Sequence, residues 1–445
     1  METENENFFV GNDENVALIE TSDDESLNST LHNSKSARWV YIIFMLHGVG
    51  ILLPWNAFLS ISPQYFIDYK FTPLNKTEPL PVYTTYFFSY LGVCSQIPNL
   101  LLTFLNMFIV LKSGIFGRIV YSLITIFVIC SFTTVFIFIN TSSWMSTFFV
   151  LTMISVVILN SANGIYQNSF YGLTALFLQN YTNSVIIGTN VCGIAVAIVL
   201  ILTLTFLENI QVIALIYFVF ALVIILACLF SFLWLPKLEF YSYYTNQARL
   251  HNEHLNTEDR FTFTDFKVVL RQTYIQMLSV FLTCFVTLLL FPNVVSNVPV
   301  YGKYDFFLPE KLYVPINVFL NFNVFATIGS VLGSYVQWPK NKNNLIYPVA
   351  GRLLFIPFFL FCNYGGVHRN FPVLFTNEYL FILMLSLLAL THGYFVSISM
   401  MYAPSVADES NAKAAGMISG FFLTFGIACG VVLTFLEGAI FLKST

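Results

Sequence analysis

Eleven runs of roughly twenty predominantly apolar residues follow one another along the chain, each long enough to cross a hydrocarbon layer as a helix. They fall near 39–60, 83–108, 114–139, 145–173, 184–207, 210–236, 275–298, 312–336, 345–363, 378–402 and 414–441. In lipid the backbone must satisfy its own polar groups, so such runs are helical; none alternates like an outer-membrane barrel strand. Only 9% of the 445 residues are charged, against about 25% in soluble domains, too few to cover a water-facing surface. The expected fold class is an all-α polytopic membrane protein of eleven transmembrane helices, which excludes a soluble enzyme, a nucleic-acid binder and a disordered chain.

The charges that remain set the topology. Nine of the 23 Asp and Glu residues lie within the first 25, so residues 1–38 read as a disordered acidic cytoplasmic tail. With the N-terminus inside, inner segments hold 11 Lys and Arg and outer segments 6, Lys70 among the latter. The positive-inside rule therefore puts the N-terminus in the cytoplasm and the C-terminus outside or in a lumen. The sequon at Asn75 then falls in the first outer loop as a glycosylation site. A long segment, 237–274, separates a six-helix bundle (39–236) from a five-helix bundle (275–445), the layout of a two-lobed transporter.

No Asp or Glu sits in the middle of a span; Glu378 and Glu437 are near outer ends. Ion-coupled carriers place carboxylates there, so uncoupled passage of a neutral polar solute fits better. The interior is rich in amides: Asn56, Gln96, Asn99, Asn317, Asn321, Asn323, and Asn160, Asn163 and Gln167 on one face of the fourth span. Amides glue helices together or line a wet cavity. Trp55 follows Pro54, which bends the helix and exposes an indole face suited to stacking on a planar ring. Gly329/Gly333, Gly416/Gly420 and Gly426/Gly430 permit close helix packing. Arg352 either snorkels to the inner interface or forms a gating ion pair with Asp408 or Glu409. The seven cysteines lie in apolar segments without a CxxC pair, and the six histidines form no ligand set, so no metal, cofactor or catalytic centre is expected. A channel would need rings of charge or a carbonyl filter, and neither is found.

Four stretches carry a family resemblance: HGVGILLPWNAFLS at 47–60, LPKLEFYSYY at 235–244, FLNFNVFATIGS at 319–330 and AKAAGMISGFFLTFGIACG at 412–430. With IPNLLLTFLNMF at 97–108 and GRLLFIPFFLFCN at 351–363, they make the chain resemble the equilibrative nucleoside transporters, solute carrier family 29, along nearly its whole length. The resemblance implies a major-facilitator-like six-plus-five arrangement, alternating access, and passive transport of nucleosides, sometimes nucleobases. Carried over by position, Leu52, Trp55 and Leu59 lie near base and ribose, Gln167 hydrogen-bonds the base, and Phe319, Asn323 and Ile427 line the cavity. The chain departs in its eighth helix, where the family's Phe-Asp-Trp-Leu-Gly-Arg is replaced by Phe325-Ala326-Thr327-Ile328-Gly329-Ser330. Asn163, Gln96, Asn99 and His392 also depart from common family residues. With Ser330, the amides Gln96, Asn99 and Asn163 are expected to replace the lost charges by weaker neutral bonds, and His392 to line the substrate site. The expected partners are a nucleoside or nucleobase and membrane lipid, with no nucleic acid, and the expected working unit is the monomer. The Glu14-Leu18-Ile19 spacing fits an acidic dileucine sorting pattern, so an endosomal or lysosomal address stands beside the plasma membrane. A nucleobase-preferring or proton-linked carrier is the alternative.

Overall fold

The computed structural model describes residues 34–72, 81–109, 114–254, 261–301, 306–365 and 372–441. The Glu14-Leu18-Ile19 pattern and the Asn75 sequon lie outside them. Among the described residues, eleven helices are long and apolar enough to cross a membrane, as expected. They are α1 (Lys35–Lys70), α2 (Phe87–Leu105), α3 (Gly114–Val135), α4 (Met145–Thr174), α5 (Gln179–Phe206), α6 (Ile210–Lys237), α7 (Phe263–Ser296), α8 (Glu310–Tyr335), α9 (Lys342–Leu360), α10 (Glu378–Val406) and α11 (Glu409–Thr434). The face where α1 begins is termed the near face, and the opposite one the far face.

Polar residues at the helix starts fix their positions. Ser34 Oγ accepts from the Ala37 amide at the head of α1, and Asn209 and Asn377 do the same for α6 and α10. Thr262 and Asp265 form a capping box that starts α7 at Phe263, well before the apolar run near 275. The segment 237–274 also carries a connecting helix, Glu239–His254. Its Phe240, Tyr241 and Tyr244 pack against Phe177 and Tyr181 at the α4–α5 turn, so it is seated on the first six helices. At the far face α1 continues past its apolar run as a π-helical stretch, Ser62–Lys70. Lys70, counted above with the outer loop, is buried there. Its Nζ donates to the carbonyls of Phe136 and Ile139, each at 2.8 Å, just beyond α3. A cation near the C-terminal carbonyls of a helix also opposes the helix dipole.

Helix α1 packs on α5 and α6, α2 on α4, and α3 on α4 and α6; α7 packs on α10 and α11, and α8 on α10. Between these groups, α5 runs against α8 and α10, while α11 meets α2 and α4. The α1–α5 crossing depends on two glycines. A Cβ on Gly48 would collide with the Val185 carbonyl, and one on Gly188 with that of Met45, so any side chain would force the helices apart.

Candidate substrate cavity

Cross-helix contacts bring expected residues of α1, α5, α8 and α10 into neighbouring layers of the fold. On α1, Leu52, Trp55 and Leu59 are half-buried along one face, and Asn56 beside them reaches the Cys192 sulfur of α5 at 3.8 Å. The next residue, Gly193, packs directly on the side-chain amide of Asn323 in α8. Three residues along α8, Ala326 touches Gly393 of α10, the neighbour of His392. Helix α4 runs antiparallel to α1, and the two are pinned where His47 Nδ1 meets the Tyr166 hydroxyl at 2.6 Å. At 1.5 Å per residue, Asn163 and Asn160 lie roughly 5 and 9 Å from that pin toward the far face, beside Leu52 at roughly 8 Å. On α11, Gly426 abuts the Phe281 carbonyl and Cys284 of α7, and the next residue, Ile427, is half-buried. Phe319, one turn from Asn323, rests edge-on to Phe291 at 5.8 Å.

The amides divide by their partners. Asn163 and Gln167 are buried, and Asn163 Oδ1 has no hydrogen-bond partner among the described residues. An unmet buried acceptor costs about 1–3 kcal/mol unless water or a ligand meets it. Asn160, on the same face, donates to the Val156 carbonyl. Asn99 takes the Thr103 hydroxyl at 3.3 Å and lies against Gly164, at the α2–α4 contact, while Gln96 is half-buried one turn away. Asn323 donates to the Phe319 carbonyl at 2.8 Å, leaving its Oδ1 facing Gly193. His47 is helix glue: it has no exposed surface and stacks on Phe170 at 4.4 Å.

Two expectations need correction. Ser330 does not face a cavity in this conformation. It is fully buried, donates to the Gly393 carbonyl at 3.1 Å and accepts from Asn190 Nδ2 at 2.8 Å. The backbones of α8 and α10 cross so closely at Ala326/Gly393 and Gly329/Leu390 that the positions of the family's charged pair are filled by helix packing. Arg352 neither snorkels nor pairs with Asp408. It lies ten residues into α9 and is 2% exposed. Its guanidinium donates to the carbonyls of Thr283 (2.7 Å) and Leu388 (3.2 Å) and to the hydroxyls of Thr287 (2.8 Å) and Thr391 (3.2 Å). Asp408 instead takes Gln272 Nε2 at 2.7 Å.

The near face is sealed by two amides: Asn168, an interior amide of the fourth span in the sequence, and Asn183, which the sequence reading did not single out. Asn183 Nδ2 on α5 donates to the Ser330 carbonyl (2.8 Å) and Ser334 Oγ (2.6 Å) on α8. Asn168 Nδ2 on α4 donates to the Met417 carbonyl on α11 at 2.7 Å, and its Oδ1 accepts from Asn106 of α2 at 2.9 Å. Gly416 and Gly420 present bare backbone to Tyr171 and Ala175, the close packing expected of that pair. A signal existed: Asn183 and Asn190 are seven residues apart, on one face of a helix that carries no charged residue.

A protein-family model described as "Nucleoside transporter" matches residues 153–438. The chain is 28% identical to Equilibrative nucleoside transporter 1 of Homo sapiens, covering 90% of this chain and 97% of that one. It is 30% identical to Equilibrative nucleoside transporter 2 of Rattus norvegicus with the same coverage. To Equilibrative nucleoside transporter 3 of Rattus norvegicus it is 29% identical, covering 88% of this chain and 86% of that one. Among solved structures, the human organic anion transporter MFSD10 aligns with 92% of this chain and 96% of that one, at a TM-score of 0.49 and 14% identity.

Proposed function

This chain belongs to the nucleoside transporter family, and from that premise we propose that it is a facilitative, uncoupled nucleoside carrier working by alternating access. The bundles 39–236 and 275–445 rock about a cavity lined by Trp55, Gln167 and Asn323. Trp55 stacks on the base and Gln167 hydrogen-bonds it; Leu52, Leu59, Phe319 and Ile427 give the apolar walls. The observation that carries this reading is the buried amide face of α4, where Asn163 Oδ1 lacks a protein partner among the described residues, near the level of half-buried Leu52. A planar, hydrogen-bonding solute matches an aromatic beside unmet amides. Uncoupled passage is supported by the lack of a mid-span carboxylate in the sequence. The carrier works as a monomer in the plasma membrane with its near face to the cytoplasm.

Uptake of labelled uridine, adenosine and hypoxanthine by cells expressing the chain, at two external pH values, tests this. Saturable, pH-insensitive nucleoside uptake is expected, falling about tenfold or more in Trp55→Ala and Gln167→Ala, since each loses a stacking or buried polar contact of about 1–3 kcal/mol. Uptake that tracks an imposed proton gradient, or of hypoxanthine alone, overturns it.

A further inference from the structure

We propose that His392 is a specificity residue that accepts a hydrogen bond from a sugar hydroxyl of the substrate through Nε2, held in that tautomer by Arg352 acting through Thr287. The inference rests on the nucleoside-carrier reading and deepens it. Thr287 Oγ1 has one proton and two lone pairs. Arg352 Nη2 can only donate, so it fills one lone pair, at 2.8 Å. The hydroxyl proton goes to the Thr283 carbonyl, also at 2.8 Å. The remaining lone pair faces His392 Nδ1 at 3.0 Å, so Nδ1 carries the hydrogen.

No carboxylate joins this cluster among the described residues, and a fixed guanidinium charge shares its central hydroxyl, so the ring is the neutral imidazole. A neutral imidazole protonated at Nδ1 has a bare lone pair at Nε2. Among the described residues the hydrogen-bond partners of the ring are Thr287 Oγ1 and the Thr283 carbonyl, and the half-buried ring lies beside Phe322, at 5.7 Å between centroids. Its chain neighbour Gly393 touches Ala326, one turn from Asn323, so the ring stands at cavity depth. With the base held by the first bundle, an acceptor fixed on the second meets the sugar end of a nucleoside, whose hydroxyls donate. Arg352 and Thr287 are positioning residues: both are buried and neither needs to touch the substrate.

Uptake of uridine and its 2′-, 3′- and 5′-deoxy and deoxyfluoro analogues is measured for the full chain in proteoliposomes. In the wild type, one deoxy analogue is expected to show a KM raised about fivefold, the size of one net hydrogen bond. Its fluoro analogue, which cannot donate, should behave like the deoxy compound. In His392→Phe, the KM for uridine rises by that factor and the discrimination collapses, while the poor analogue is unchanged. His392→Gln restores part of the discrimination, because its amide oxygen can stand near Nε2, and Thr287→Val reduces it. If His392→Phe slows every substrate alike, or keeps the discrimination, the proposal is overturned. Should that variant not accumulate in the membrane, undiminished discrimination in Thr287→Val overturns it equally. Wild-type protein that moves no nucleoside refutes the carrier reading itself, and the proposal with it.

Discussion

Asn183→Ala removes the two hydrogen bonds by which α5 holds the near-face end of α8, at 2.8 Å to the Ser330 carbonyl and 2.6 Å to Ser334 Oγ. Each exists only while the near face is closed, because the partners belong to different helix bundles. At about 1 kcal/mol net per bond, the substitution removes about 2 kcal/mol from the closed state, a shift of about 30-fold in the closed-to-open ratio. A protein resting at 99:1 would then rest at about 3:1, a change large enough to see directly. Spin labels at Asn180→Cys and Ser410→Cys, both exposed on the near face, report the opening by pulsed dipolar spectroscopy. The half-buried Cys94 and Cys429 are first replaced by Ser. A second, longer distance should grow in with Asn183→Ala. If the distribution is unchanged while the variant remains folded, the amides do not hold the seal and the argument fails.

Two further outcomes follow from the packing. Lys70→Met deprives the chain end of α3 of a buried charged donor worth about 2 kcal/mol, so the melting temperature of the purified protein should fall by several degrees; an unchanged melting curve would show that these carbonyls are met by water. Restoring the family's charges with Ala326→Asp and Ser330→Arg puts two larger side chains into the α8–α10 crossing, and the double variant should accumulate poorly by fluorescence size-exclusion chromatography. A well-folded double variant with raised nucleoside affinity would show that the crossing opens onto the cavity.

Existence and number of the spans were legible in the sequence because lipid imposes length and hydropathy on every one of them. Boundaries were not, where polar chemistry decides them. The Ser62–Lys70 stretch reads as loop because its residues are mixed, yet the pairing of Lys70 beyond α3 extends α1. The start of α7 is set by a capping box, twelve residues before the apolar run near 275. At the site, the α4 face of Asn160, Asn163 and Gln167 could be read from spacing alone, but Asn160 answers its own helix and only the other two stay unpaired within it. Ser330 and Arg352 were misjudged for a common reason: the groups that occupy them, Asn190 and Gly393 for one, Thr283, Thr287, Leu388 and Thr391 for the other, are distant in sequence.

The near-face seal also decides how the molecule should respond to its surroundings. Its named contacts are amide to carbonyl, amide to hydroxyl, and a smooth glycine surface against Tyr171. Bonds of that kind are little affected by dissolved ions, which weaken contacts between exposed charges. Opening at this face should therefore proceed at nearly the same rate in dilute and concentrated salt, leaving solute occupancy, and not ionic conditions, to set the pace.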